Sequence, residues 1–238
     1  MVLIMASFAG CGNKTYDMAY SPNHPVSSYR MDTVEERGDT ATPFAKDLCV
    51  ADGDVTGNTE VDMSQAGAAA LFSLDDSNTI YAKNVYEQMA PASLTKVMTA
   101  LVALKHSSPD DVLTASANVK ITESGATKCG LKEGDQMTLN QALHALLIHS
   151  ANDAAILIAE GVAGSVDAFC EMMNEEAKAL GATTCHFVNP HGLTAEDHYV
   201  TAYDMYLIFN EALNYQLIDE IIRLPSYTTV YKDKDGRD

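Results

Sequence analysis

"MAPASLTKVMTALVALKH", residues 89–106, sets a lysine, Lys96, inside a stretch that otherwise reads as an apolar helix, three residues after Ser93. Leu94, Val97, Met98, Leu101 and Val102 recur at the spacing of one buried helical face. An amine on such a face must reach water, find a partner or give up its proton. Pro91 presets the turn and disfavours helix at the residue before it, so the pattern predicts a helix starting near Ser93, with its free N–H groups at the serine. Residues three apart share a helical face, so Ser93 and Lys96 point the same way at the positive end of the helix dipole, where an oxyanion or alkoxide is favoured. A neutral lysine there can take the proton of the serine hydroxyl. Ser-x-x-Lys alone is a weak signal, because the spacing arises by chance in many helices.

A second element strengthens it. "LLIHSANDAAILIAE", residues 146–160, interrupts two apolar helical runs with Ser150, Ala151 and Asn152. A polar break in a buried helix costs stability unless its groups are satisfied, which makes the triplet a candidate site. The interval from Ser93 to Ser150 allows a return through a small helical lobe to the same cleft. His149 adjoins Ser150, but neighbours i and i+1 do not face each other on a helix, so a Ser–His pair is disfavoured. Asp153 is placed to support the N-terminus of the following helix.

Outward from these motifs, Ala68–Leu74 and Thr79–Ala82 flank the turn-rich Asp75-Asp76-Ser77-Asn78, a hairpin signal. "TLNQALHALLIH" carries Leu139, Leu143, Leu146 and Leu147 on one helical face. A further helix runs from about Val166 to Leu180 and stops at Gly181; another opens at Thr201, where Thr201-Ala202-Tyr203-Asp204 has the form of a capping box. No internal repeat or low-complexity tract is visible. With 238 residues and 47% hydrophobic content the chain can bury a core, while a net charge of −18 argues against nucleic acid or an anionic membrane surface as partner. No run of about 20 apolar residues is present to span a bilayer.

The first residues, "MVLIMASFAGCGN", are apolar to Cys11 and then polar, and "FAGC" resembles the lipobox of bacterial lipoproteins, in which the cysteine is lipidated. Residues 1–11 are therefore expected to be part of a lipoprotein-type signal, although only ten residues precede Cys11 and none is basic. Residues 12–65, rich in Ser, Thr, Asn, Asp, Gly and Pro, are expected to form a disordered tether to a domain spanning 66–238. Cys49, Cys129, Cys170 and Cys185 show no zinc spacing, and three disulfide pairings remain open to them. The 11 methionines have no metal-site pattern and read as core filler.

Together "PASLTK", "SAND", "FVNPHGL" at 187–193 and "TAYDMYLI" at 201–208 resemble the D-alanyl-D-alanine carboxypeptidases, low-molecular-weight penicillin-binding proteins of serine peptidase family S11. The resemblance covers about Ala66 to Arg237. It implies an α+β fold of the serine β-lactamase or DD-peptidase type, with a helical lobe and an antiparallel sheet. It also implies an extracytoplasmic enzyme of the cell envelope, without metal or other cofactor, that removes the terminal D-alanine of peptidoglycan stem peptides and is acylated by β-lactam antibiotics. Ser93 would then be the nucleophile, Lys96 its general base, Ser150 a proton relay to the leaving group, and Asn152 a partner of the substrate amide. His191 within "NPHGL" is expected to serve a turn, and Glu211 an ordinary helix.

One departure stands out. The family's third motif, Lys-Thr-Gly or Lys-Ser-Gly, is missing, and Lys234-Asp235-Gly236 reads as a hairpin turn. The expectation is a chain that stops before that motif and lacks C-terminal strands, with an impaired penicillin-binding-like protein as the alternative to an active carboxypeptidase.

Overall fold

The computed structural model describes residues 47–57 and 62–237. Cys11 and most of the expected tether lie outside the described residues. The helical pattern of "TKVMTALVALKH" is realised as α1 (Thr95–His106), whose Met98, Leu101, Val102 and Ala103 are fully buried. Around it pack α2 (Leu139–Leu147), α3 (Asn152–Ala163), α4 (Val166–Ala179) and α5 (Ala202–Ala212), with the shorter α6 (Gln216–Ile222) against α2. Phe169, Phe187, Leu139, Leu143, Leu157 and Ile208 fill the space between them. Each such side chain contributes about 1.5–3 kcal/mol by leaving water.

The expected hairpin forms as β1 (Ala69–Ser73) and β2 (Asn78–Lys83), antiparallel with a register shift between Leu71 and Phe72. A second antiparallel pair, β3 (Val112–Thr114) and β4 (Gln136–Thr138), precedes α2 and was not marked by any alternation in sequence. Three-residue strands are too short to show a period of two, which explains the omission.

Helix ends follow local chemistry. Thr138 caps α2 through a reciprocal pair with Gln141, and Thr201 caps α5 through a reciprocal pair with Asp204. Beyond α4 and its cap Leu180, Gly181 takes the left-handed conformation, φ 83°.

Two expectations require correction. Residues before Ala66 are not all tether: Cys49 is fully buried, its N–H donates to Tyr206 Oη (2.8 Å), and its carbonyl accepts from Tyr203 Oη (2.8 Å). Val55 also pairs with Ala82 of β2. The few aliphatic residues there hid this docking, because two tyrosines of α5 supply the contact. The second correction concerns α1, which begins at Thr95 and not near Ser93. Ala92 takes φ +48°, residues Ala92–Leu94 form a single 3-10 turn, and the Thr95 N–H points back to Ala92 O and Ser93 O. That tighter turn rotates Leu94 off the apolar face, leaving it 56% exposed.

Candidate active site

Ser93 lies on the exposed 3-10 turn, and Lys96 lies one turn on, inside α1, only 2% exposed. The Lys96 ammonium or amine has two neighbours: Ser93 Oγ at 3.2 Å and the carbonyl oxygen of His191 at 2.6 Å. Among the described residues no carboxylate lies within ion-pair distance of it. Burial without a counter-ion disfavours the charged form and holds its pKa down to about 8.

Ser150 occupies the break between α2 and α3. It adopts a left-handed φ of +57°, while Ala151 N–H reaches back to Ala145 O and Asn152 N–H donates to Thr127 O. This fixed corner aims the Ser150 hydroxyl at Ser93 Oγ, 2.9 Å away. Ser93, Lys96 and Ser150 thus meet in one hydrogen-bonded group. They line a cleft of about 320 Å³ whose apolar wall is Val97, Leu146, Leu147 and Ile222. Asn152 is buried at 4% and is not on that wall, and among the described residues its side chain makes no hydrogen bond.

Asp153 does more than support α3. Its carboxylate accepts from the N–H groups of Cys129 (3.0 Å), Gly130 (2.8 Å) and Leu131 (3.0 Å), tying the 129–131 loop to the start of the helix. His149 is turned away from Ser150, with Nε2 3.2 Å from Lys128 O. Lys234-Asp235-Gly236 forms an exposed turn closed by Gly236 N–H to Asp233 O (2.9 Å). Glu211 sits within α5 and accepts from Asn214. Cys49, Cys129, Cys170 and Cys185 are free thiols, and among the described residues no cluster of potential metal ligands occurs.

The segment 187–193 carries a contribution that its sequence only partly disclosed. Asn189 Oδ1 accepts from His191 N–H and Gly192 N–H while Asn189 Nδ2 donates to Leu193 O, curling the chain so that two carbonyls face α1. Pro190 O accepts from Thr99 Oγ1 (2.7 Å) and His191 O accepts from Lys96. The available signal was the polar pair Lys96 and Thr99, three apart on an apolar helix, which demanded buried acceptors. The imidazole of His191 is kept neutral, its pKa lowered to about 4 by burial and then by Lys96. Gly192 (φ +86°) approaches so closely that an added Cβ would overlap the Ala92 carbonyl.

A mainly helical lobe with two short antiparallel strand pairs, in which Ser93 and Lys96 at the start of the central helix meet Ser150 from the α2–α3 corner, has the form of the DD-peptidase and transpeptidase class. Solved structures agree. The Streptomyces K15 DD-transpeptidase superposes with a TM-score of 0.68 at 26% identity, covering 75% of this chain and 72% of that one. Penicillin binding protein 6B from Escherichia coli gives 0.59 at 29% identity, over 68% and 55% of the two chains. The D-alanyl-D-alanine carboxypeptidase family model, peptidase family S11, matches residues 55–235, and the chain belongs to that family. D-alanyl-D-alanine carboxypeptidase DacF of Bacillus subtilis is 36% identical over 173 residues, 71% of this chain and 43% of the relative. DacB2 of Mycobacterium tuberculosis is 32% identical over 180 residues, 74% and 61% respectively. The chain therefore spans less than half the length of DacF. No helix among the described residues is long and apolar enough to cross a membrane.

Proposed function

We propose that the protein is a serine-type D-alanyl-D-alanine carboxypeptidase, removing the terminal D-alanine of peptidoglycan stem peptides through an acyl-enzyme on Ser93. The observation that carries this reading is the buried amine of Lys96, without a counter-ion, beside Ser93 Oγ, with Ser150 Oγ on the same oxygen. In its neutral form Lys96 keeps one N–H on His191 O and offers its lone pair to the Ser93 hydroxyl proton. Ser93 Oγ then adds to the carbonyl carbon of the penultimate D-alanine. Oxyanion charge develops beside the backbone N–H of Ser93, which meets no backbone acceptor among the described residues, at the positive end of α1. As the C–N bond breaks, the proton held by Lys96 passes through Ser150 to the departing D-alanine nitrogen. Water attacks the resulting ester in the reverse sense, giving its proton back through the same group and releasing the shortened peptide.

In this reading Asn152 holds the substrate amide, which requires its buried side chain to turn toward the cleft. β-Lactam antibiotics would acylate Ser93 as mimics of the substrate. The family resemblance and the "FAGC" sequence at residues 8–11 support action in the cell envelope, with Cys11 as a lipid anchor. Measuring fluorescent-penicillin labelling and D-alanine release in parallel tests this reading. Release that depends on Ser93 supports the carboxypeptidase, and labelling without release, or neither, would overturn it.

A further inference from the structure

The turn that carries Ser93 is held from beneath. Ala92, Ser93 and Leu94 are all exposed, whereas the next residue, Thr95, is fully buried and directly precedes Lys96. The Thr95 hydroxyl meets His198 Nε2 at 2.9 Å, and the other nitrogen of that ring, Nδ1, accepts from Val188 N–H at 3.1 Å. A backbone amide can only donate, so Nδ1 carries the lone pair and the proton sits on Nε2, which donates to Thr95 Oγ1. The ring is 5% exposed and Phe187 meets it edge-on, with centroids 5.8 Å apart at 74°. Burial and then the nearby His186 favour the neutral imidazole that this pattern requires.

We propose that His198 is a positioning residue of the serine–lysine site, its Nε2–H holding the Thr95 hydroxyl so that the exposed Ser93 turn and the buried Lys96 keep their geometry. The proposal rests on the acyl-transfer reading for its kinetic consequence, but not for its structural one. His198 hydrogen-bonds to neither Ser93 nor Lys96; it acts through Thr95, whose N–H closes the turn on Ala92 O and Ser93 O. Without that anchor the turn is free to shift and water gains access to Lys96.

Two substitutions split the two ring nitrogens. His198→Gln places an amide N–H where Nε2 donates, while His198→Asn keeps an acceptor for Val188 and leaves Thr95 without its donor. Lys96 titration in the 238-residue chain, followed through its 13Cε shift, should stay near 8 in His198→Gln, as in the parent, and move toward ammonium by at least about threefold in His198→Asn as water reaches the amine. Ser93 acylation by a fluorescent penicillin, in the full-length protein, should fall roughly tenfold in rate in His198→Asn at unchanged prior binding, and stay within about threefold of the parent in His198→Gln, the scale of one hydrogen bond. Equal Lys96 titration in all three proteins would overturn the positioning role whatever the labelling shows. Failure of the parent to label at Ser93 would overturn the acyl-transfer reading alone, and the titration would still decide the role of His198.

Discussion

Replacing Gly192 by alanine tests how tightly the 189–193 segment is bound to the turn that carries Ser93. The new Cβ would overlap the Ala92 carbonyl and sit 2.9 Å from Thr95 Oγ1, and it would be carried at φ +86°. The left-handed conformation alone costs a non-glycine residue about 1–2 kcal/mol. Relief of the overlap requires segment 189–193 to back away from α1, which gives up the Thr99–Pro190 and Lys96–His191 hydrogen bonds. Those bonds are worth about 0.5–1.5 and about 1.5–3 kcal/mol if neutral and charge-assisted respectively, so the whole effect is about 3–6.5 kcal/mol. Gly164→Ala is the control, because Gly164 has nearly the same φ, +81°, with nothing within 4 Å of its would-be Cβ. In urea unfolding of the 238-residue chain, Gly164→Ala should cost only the conformational penalty and Gly192→Ala at least about 2 kcal/mol more. Equal costs for the two variants would refute the close clamp between the segments.

Acylation of Ser93 should rise about tenfold per pH unit below 8 and level off above it, as Lys96 loses its proton; a flat profile between pH 6 and 9 would remove Lys96 as the base. The same shift bears on stability. The folded chain holds its lysine proton less tightly than the unfolded chain, so this group's contribution improves as pH rises from about 8 to 10.5, while the raised thiols of Cys129, Cys170 and Cys185 act in the opposite sense above pH 9; the difference in urea midpoints between the parent and Lys96→Met should therefore move in the parent's favour across that window, and a constant difference would refute the shift. Asp153→Ala strips three loop N–H groups of their acceptor and should destabilise by about 3–5 kcal/mol, whereas Asp153→Asn, which keeps one acceptor oxygen, should cost less. Thr201→Ala removes a complete capping box and should cost about 1–2 kcal/mol in the same assay.

Much of this architecture was legible because its determinants are local. Periodicity located α1 and α2, Gly181 marked the end of α4, and Thr201 with Asp204 announced the start of α5. Lys96 and Ser150 could be singled out because each is polar where an apolar pattern would otherwise continue, and Ser93 because it stands three residues before Lys96. What escaped depends on backbone atoms and on contacts distant in sequence. The carbonyls of Pro190 and His191 carry no residue-type signature, yet they satisfy Thr99 and Lys96 across more than 90 positions of chain. His198 was invisible for the same reason, since its role follows from a tautomer that only the Val188 amide reveals. Cys49 and Val55 were read as tether because docking there uses two tyrosine hydroxyls and a single strand bridge, and neither creates a hydrophobic run.

The central claim is that Ser93 is the acylated nucleophile and that Lys96 activates it. Site-resolved mass spectrometry of the full-length protein, after brief exposure to a penicillin, tests this most directly. The account predicts a single ester adduct on the peptide bearing Ser93, absent from Ser93→Ala and nearly absent from Lys96→Ala, in which the fold is retained. An adduct on Ser150 or elsewhere, or an undiminished Ser93 adduct in Lys96→Ala, would contradict it.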